Sequence, residues 1–267
     1  MVLVYSLAVL GGMGLGAGIL LAYASKKFAV KEDEKVGKIE SILPGVNCGA
    51  CGYAGCHAYA EAVASGKAEV NLCKPGGEKV MKEICSIMGK EGVSAEPKVA
   101  QRYCNGGRKE SKSKFDYEGI ETCKAASIIN NGFKQCTYSC LGLGDCERSC
   151  PVNAITIDEN SLPQIDKEKC IGCEKCVIEC PRNILHMVPK KSRVHVRCSS
   201  KDPGKVVTKV CTIGCIACKL CEKACPFDAI HVIDNLAIID YDKCKNCTKC
   251  AQVCPRKIIE VEPLKKQ

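Results

Sequence analysis

The longest uncharged run in the chain comes first. Residues 2–24, VLVYSLAVLGGMGLGAGILLAYA, carry no charge and are followed by Lys26 and Lys27. That length suffices for one helix across a bilayer. A signal peptide would put its basic residues before a shorter apolar core. With the lysines after the run instead, the rest of the chain is expected on the cytoplasmic side. Gly11, Gly12, Gly14, Gly16 and Gly18 suit close packing against other helices in lipid. Residues 29–37 read as a short charged connector. Beyond Cys56, Ala58, Ala60, Ala62, Val63 and Ala64 predict a short helix that Gly66 ends. Residues 77–88 predict a second helix, with Cys85, Ile84 and Met88 on its apolar face. Between about Gly89 and Ile120 the pattern dissolves into polar, glycine-containing sequence, read as a solvated tether. Further on, AITIDE, PQID, AIHVID and LAIIDY have the apolar, β-branched character of short strands.

Cysteine changes this picture, with 25 in 267 residues. LPGVNCGACGYAGC supplies Cys48, Cys51 and Cys56, and Cys73 follows. Its glycines let a loop wrap tightly and turn N–H groups toward sulfur. Four blocks then run from Cys136 to Pro255: CTYSCLGLGDCERSCP, CIGCEKCVIECP, CTIGCIACKLCEKACP and CKNCTKCAQVCP. Three contain C-x2-C-x2-C-x3-C-P, the spacing that holds paired [4Fe–4S] clusters, the fourth Cys ligating the neighbouring cluster. Helices are expected after the third Cys of each block. The first and third blocks superpose without a gap, so the region is an internal duplication. Cys218 falls on Leu143, which leaves one corner open, and Cys136 is the expected substitute. The expected sets are Cys48, Cys51, Cys56, Cys73; Cys136, Cys140, Cys146, Cys180; Cys150, Cys170, Cys173, Cys176; Cys215, Cys218, Cys221, Cys254; and Cys225, Cys244, Cys247, Cys250. That makes five [4Fe–4S] clusters and no catalytic side chain. Zinc sites also use paired C-x2-C, but they rarely take proline-closed four-cysteine runs. Disulfides do not suit a reducing compartment.

Cys104, Cys123, Cys198 and Cys211 are left over, and Cys85 is read as core. Cys123 precedes Cys136 by the interval that separates Cys198 from Cys211. Buried thiols, pairs near the clusters or parts of a sixth metal site would each fit; unligated structural thiols is the reading adopted. The formal charge of +9 would raise nucleic acid as a partner. Five clusters of roughly −2 each offset it, and no aromatic-interleaved basic surface supports nucleic-acid binding. Units of this size bury little apolar surface, so cluster binding and folding are expected to be coupled.

The anchor, LPGVNCGACGYAGC with Cys73, CTYSCLGLGDCERSCP and CIGCEKCVIECP together resemble the B subunit of the Rnf complex over nearly the whole chain. The resemblance implies a membrane-bound ferredoxin:NAD+ oxidoreductase that moves Na+ or H+, with this chain as its electron wire. It implies soluble ferredoxin as donor, other membrane and peripheral subunits as partners, and flavin and NAD bound elsewhere. A related complex that reduces a redox-sensing transcription factor is the alternative. The expected fold is α+β: a transmembrane helix (1–27) in the cytoplasmic membrane, a helical [4Fe–4S] domain (28–90), a linker (91–122) and two ferredoxin units (123–192 and 193–267).

Overall fold

The computed structural model describes residues 1–27, 33–90 and 96–263, without the side chains at 2–4 and 6–9. Its first element is α1 (Val2–Lys27), about 39 Å long at the α-helical rise. The expected membrane span is nevertheless not met among the described residues, where no helix is long and apolar enough to cross a membrane. The described side chains of α1 include five glycines and end on Lys26 and Lys27, which lowers their mean hydropathy.

A small helical unit follows, built from α2 (Glu34–Ile42), α3 (Cys56–Ala64) and α4 (Gly77–Met88). α2 takes up residues 34–37 of the expected connector, of which residues 29–32 lie outside the described residues. The Asp33 carboxylate caps it by accepting from the Lys35 N–H at 3.0 Å, and Val36, Ile39 and Leu43 turn one face inward. They pack with Tyr59, Val63 and Ile84, and Cys85 borders the same core. The fully buried Tyr59 ring satisfies its hydroxyl on the Glu69 carbonyl at 2.8 Å.

The rest of the described chain is built twice. The first copy runs β1 (Lys98–Arg102), α5 (Cys123–Ile128), α6 (Asp145–Arg148), β2 (Ile155–Ile157), β3 (Pro163–Ile165), α7 (Lys175–Glu179) and β4 (Leu185–Pro189). The second runs β5 (Val194–Val196), α8 (Gly204–Val210), α9 (Leu220–Ala224), β6 (Ile230–Ile233), β7 (Leu236–Ile239), α10 (Lys249–Gln252) and β8 (Ile259–Val261). Each copy has an inner antiparallel hairpin, β2–β3 or β6–β7, and an outer pair in which its first strand returns to its last, β1–β4 or β5–β8.

The stretch expected as a tether is therefore part of the first copy. Lys98 pairs with Pro189 and Arg102 with Leu185. Residues 91–95 lie outside the described residues. Gln101 and Arg102 are polar but buried, because β1 faces the second copy. There the Arg197 guanidinium donates to Gln101 Oε1 at 2.6 Å and to the Arg102 carbonyl at 2.8 Å. Arg197 also pairs with Glu260 at 2.6 Å, and the Tyr103 and Tyr241 hydroxyls meet at 2.8 Å. The two copies thus share a buried polar seam, its groups paired as burial requires.

Candidate iron–sulfur sites

In each cysteine block of the two copies, the helix carrying the penultimate Cys starts one residue before it, not after it as expected, from a residue in the left-handed region. These are Gly144, Glu174, Lys219 and Thr248, each two residues before Cys146, Cys176, Cys221 and Cys250. The reversal folds the preceding loop back over the helix start, so that its sulfurs converge. Gly172 in the second block is held tighter still, at φ +69 with the Lys98 carbonyl 2.6 Å from where a Cβ would stand. β1 therefore presses directly on the Cys170–Cys173 loop. The Ala100 N–H faces Cys170 Sγ at 3.5 Å. The duplication extends to such contacts, since the Ala154 N–H faces Cys150 Sγ at 3.2 Å and the Ala229 N–H faces Cys225 Sγ at 3.4 Å.

The cysteines gather in groups of four. Cys48, Cys51, Cys56 and Cys73 line one cavity of about 320 Å³. There Asn47 Oδ1 accepts from the Cys56 N–H at 2.8 Å and fixes the start of α3. Cys215, Cys218, Cys221 and Cys254 line another, of about 340 Å³. Cys225, Cys244, Cys247 and Cys250 line a third, of about 320 Å³. Burial raises the pKa of Cys176, and the neighbouring sulfurs of Cys170, Cys173 and Cys150 add to the rise.

One corner departs from the sequence expectation. The cavity of about 350 Å³ lined by Cys140, Cys146 and Cys180 has Cys123 as its fourth cysteine. Cys136 lines a different cavity. Cys123 begins α5, whose N-cap Thr122 accepts from the Ala125 N–H. The Asp145 carboxylate accepts from the Lys124 N–H at 3.0 Å and docks α5 on α6. This brings the Cys123 sulfur against the backbone of Leu143, the position where the repeat lacks its cysteine. A gap in one loop is thus filled from a separate helix. The matching 13-residue intervals in the sequence equated Cys123 with Cys198 and so concealed it.

The electrostatics of these cavities suit a positively charged core. Burial pushes the Cys146, Cys176 and Cys221 thiols up to about 12 and Cys250 to about 11, with neighbouring sulfurs adding to the shift. Holding such sulfurs as thiolates needs compensating charge, which ligated iron supplies. The spread of the sulfurs suits a group larger than one ion. Zinc would draw four sulfurs to within about 4 Å of one another, and among the described residues no three Cys, His, Asp or Glu side chains could hold a single metal ion. Arg182, on the wall of the Cys123 cavity, has a buried Nη2 without a partner. Such an atom fits an acceptor such as sulfide.

Comparison with known proteins agrees with this chemistry. An Fe–S cluster family matches residues 43–75, and 4Fe-4S dicluster families match 134–184, 169–229 and 214–259. The chain therefore carries several [4Fe–4S] domains. It is 44% identical over 251 residues to the B subunit of the Na(+)-translocating ferredoxin:NAD(+) oxidoreductase complex of Acetobacterium woodii, covering 94% of this chain and 75% of that one. It is 42% identical to the B subunit of the ion-translocating oxidoreductase complex of Methanosarcina acetivorans, covering 97% and 98%. The B subunit of the proton-translocating ferredoxin:NAD(+) oxidoreductase complex of Clostridium ljungdahlii is also 42% identical, covering 93% and 89%. With such identity over nearly its whole length, the chain belongs to the family of B subunits of ion-translocating oxidoreductase complexes.

Proposed function

We propose that this chain is the electron-transfer subunit of a membrane-bound ferredoxin:NAD+ oxidoreductase coupled to Na+ or H+ movement, and that five of its four-cysteine groups each hold a [4Fe–4S] cluster. The sets are those expected from the sequence, with Cys123 in place of Cys136. The recurrence of cavities each walled by four cysteines carries the reading. When bound, the clusters supply outer-sphere one-electron chemistry. The protein's part is to fix the thiolates, aim peptide N–H groups at sulfur and keep water out, which together tune the potential. No proton transfer and no nucleophile is required of any side chain.

The arrangement suggests where partners meet the chain. Among the described cysteines only Cys218 is exposed, and Lys219 stands beside it. The second copy is thus the side on which a soluble ferredoxin would approach. The helical unit lies at the other end, with Cys48 close enough to Cys173 to raise its pKa, and would face the membrane subunits. The charge-free run of residues 2–24 and the exposed Leu10, Leu15, Ile19, Leu20 and Leu21 of α1 support a single membrane anchor, the remainder being cytoplasmic.

Two measurements test this. Anaerobically purified full-length protein should contain iron and acid-labile sulfide in equal amounts, and its visible absorbance should bleach on addition of reduced ferredoxin. Zinc without sulfide would overturn the electron-transfer reading. The anchor predicts that the protein stays with membranes through alkaline carbonate extraction and that removing residues 1–27 releases it; release of the intact chain would refute that part.

A further inference from the structure

The two copies differ at one corner, and the difference lies beside an exposed sulfur. In the first copy α5 is packed on the start of α6. Lys124 holds it there twice, its backbone N–H donating to the Asp145 carboxylate at 3.0 Å and its ammonium pairing with Glu179 of α7. Arg148 is paired with Asp145 as well, and Asp145 is buried. The charges of this corner are thus satisfied within the fold.

The second copy keeps the two underlying helices and lacks the cover. The repeat sets Cys221 on Cys146 and Cys250 on Cys176, so Leu220 of α9 stands where the first copy has Asp145, and Val253 at the end of α10 stands where it has Glu179. Both partners of Lys124 are therefore replaced by apolar side chains. The chain between Cys198 and Cys211 is much shorter than that between Cys104 and Cys136. It forms α8, whose buried Val207 packs toward Gly214 instead. Among the described residues nothing covers α9 as α5 covers α6. Leu220 is 45% exposed and Val253 40%, and Cys218, a member of the four-cysteine site beneath, is exposed two residues before Leu220.

Charge completes this face. Lys219 and Lys223 flank Leu220 on α9, and Lys249 begins α10, which packs on α9. All three lysines are exposed, and among the described residues no carboxylate pairs with any of them. The one acid of α9 is turned inward: Glu222 meets His231 at 3.4 Å, and its Oε2 is buried. An apolar centre gains from being covered, and unpaired ammonium groups around it steer an anionic partner into place. Outer-sphere transfer further requires that the donor come close to the accepting site, and Cys218 is where that site reaches the surface.

We propose that Cys218, Lys219, Leu220, Lys223, Lys249 and Val253 form the docking surface for the soluble electron donor, a reduced ferredoxin that presents acidic side chains around an apolar centre. The donor occupies on α9 the place that α5 occupies on α6. The proposal rests on the reading of this chain as an acceptor of ferredoxin electrons, and adds where the donor binds and by what chemistry. In each encounter one electron passes from the donor to the Cys215–Cys254 site; the donor is oxidised, the site is reduced, and no bond is made or broken.

Stopped-flow reduction of the anaerobically purified full-length protein by reduced ferredoxin tests it. Lys219→Glu/Lys223→Glu should slow the bimolecular rate about tenfold at low salt and converge on the wild type as salt is raised. Leu220→Ser should slow it at every salt concentration. Lys67→Glu/Lys79→Glu, the same change of charge on the helical unit, should have little effect, and dithionite should reduce every variant as fast as the wild type. Unchanged rates in both α9 variants would place the donor elsewhere, and equal slowing in the Lys67/Lys79 variant would show that net charge alone sets the rate; either result overturns the proposal. Should the α9 variants lose iron, carbodiimide crosslinking of the wild type to ferredoxin decides. Links should fall on Lys219, Lys223 or Lys249, whereas links confined to other lysines, or joining two copies of this chain through α9, would overturn the proposal. A wild type that dithionite reduces and ferredoxin does not would instead overturn the reading on which the proposal rests.

Discussion

Lys74 Nζ and Glu174 Oε1 form an ion pair of 2.6 Å between the helical unit and the first ferredoxin-like copy. Each follows a cysteine of a four-cysteine site, Cys73 and Cys173. The pair therefore sits beside a cysteine of each site. Both side chains are partly exposed, 45% and 36%, and a pair of this kind contributes at most about 1 kcal/mol. Such a contact can bias the docking of the two parts without locking it.

Glu174→Lys should leave iron content unchanged and slow reduction of the Cys48–Cys73 site by roughly fivefold, the rate equivalent of about 1 kcal/mol. The Lys74→Glu/Glu174→Lys double variant should restore the rate, and added salt should slow the wild type toward the single variant. Freeze-quench EPR after mixing with reduced ferredoxin reads this out. An unchanged rate in Glu174→Lys would show that other contacts set the approach.

Cys123 supplies a sharper prediction. Its place beside Cys140, Cys146 and Cys180 means that Cys123→Ser should remove or convert one cluster, about four iron atoms at most. Thr122→Ala, which deletes the α5 cap, should weaken retention of that cluster without abolishing it, at a cost of about 1 kcal/mol. If Cys123→Ser keeps full iron, the fourth corner belongs to another residue.

Cys123 also shows where the sequence was readable and where it was not. The regular blocks announce their sites because the ligands lie a few residues apart on one loop. The sequence also foretold α4 and both inner hairpins, since burial there follows a simple period. It did not foretell β1, whose Gln101 and Arg102 are buried against Arg197 and Glu262. Polar residues buried against another copy look like solvated ones until the copy is in place. The same holds for Cys104 and Cys198, which lie far apart in the chain and meet only because the copies dock. A pattern of spacings cannot reveal a cavity that two loops build jointly. α2 was readable in hindsight, since Asp33 followed by Val36 and Ile39 is a capped amphipathic start.

Arg182 offers a test of tuning. Its Nη1 donates to Asn131 Oδ1 at 2.7 Å and its Nε to the Ser139 carbonyl at 3.3 Å, while Nη2 is buried without a partner. Its counterpart Arg256 instead donates to the Gly214 and Cys211 carbonyls. A cation beside a cluster favours the reduced state, so Arg182→Gln should lower the potential of the Cys123–Cys180 site by about 30–60 mV, up to a tenfold change for one electron. Arg256→Gln should shift its own site less. Redox titration followed by EPR checks the order, and equal shifts would remove the special role of the unpaired Nη2.

His195 sets a pH dependence. Its ring is fully buried, with Nδ1 2.9 Å from the Tyr241 hydroxyl and Nε2 3.2 Å from the Ser192 carbonyl. Burial pushes its pKa down to about 3, and the Arg197 and Lys167 charges add to the fall. The Glu262 carboxylate 3.6 Å away is therefore not an ion-pair partner at neutral pH, because the ring is uncharged. The unfolded chain, with an ordinary histidine near 6.5, takes up a proton that the folded one refuses. Stability is then complete above about pH 6.5 and falls as pH drops toward about 3, by about 2 kcal/mol at pH 5. Anaerobic thermal unfolding at about pH 7.5 and about pH 5 should show a larger loss for the wild type than for His195→Gln, which lacks the titrating ring. Equal losses would mean that His195 can be protonated in place, and that the Tyr103–Tyr241–His195 seam opens more readily than its burial indicates.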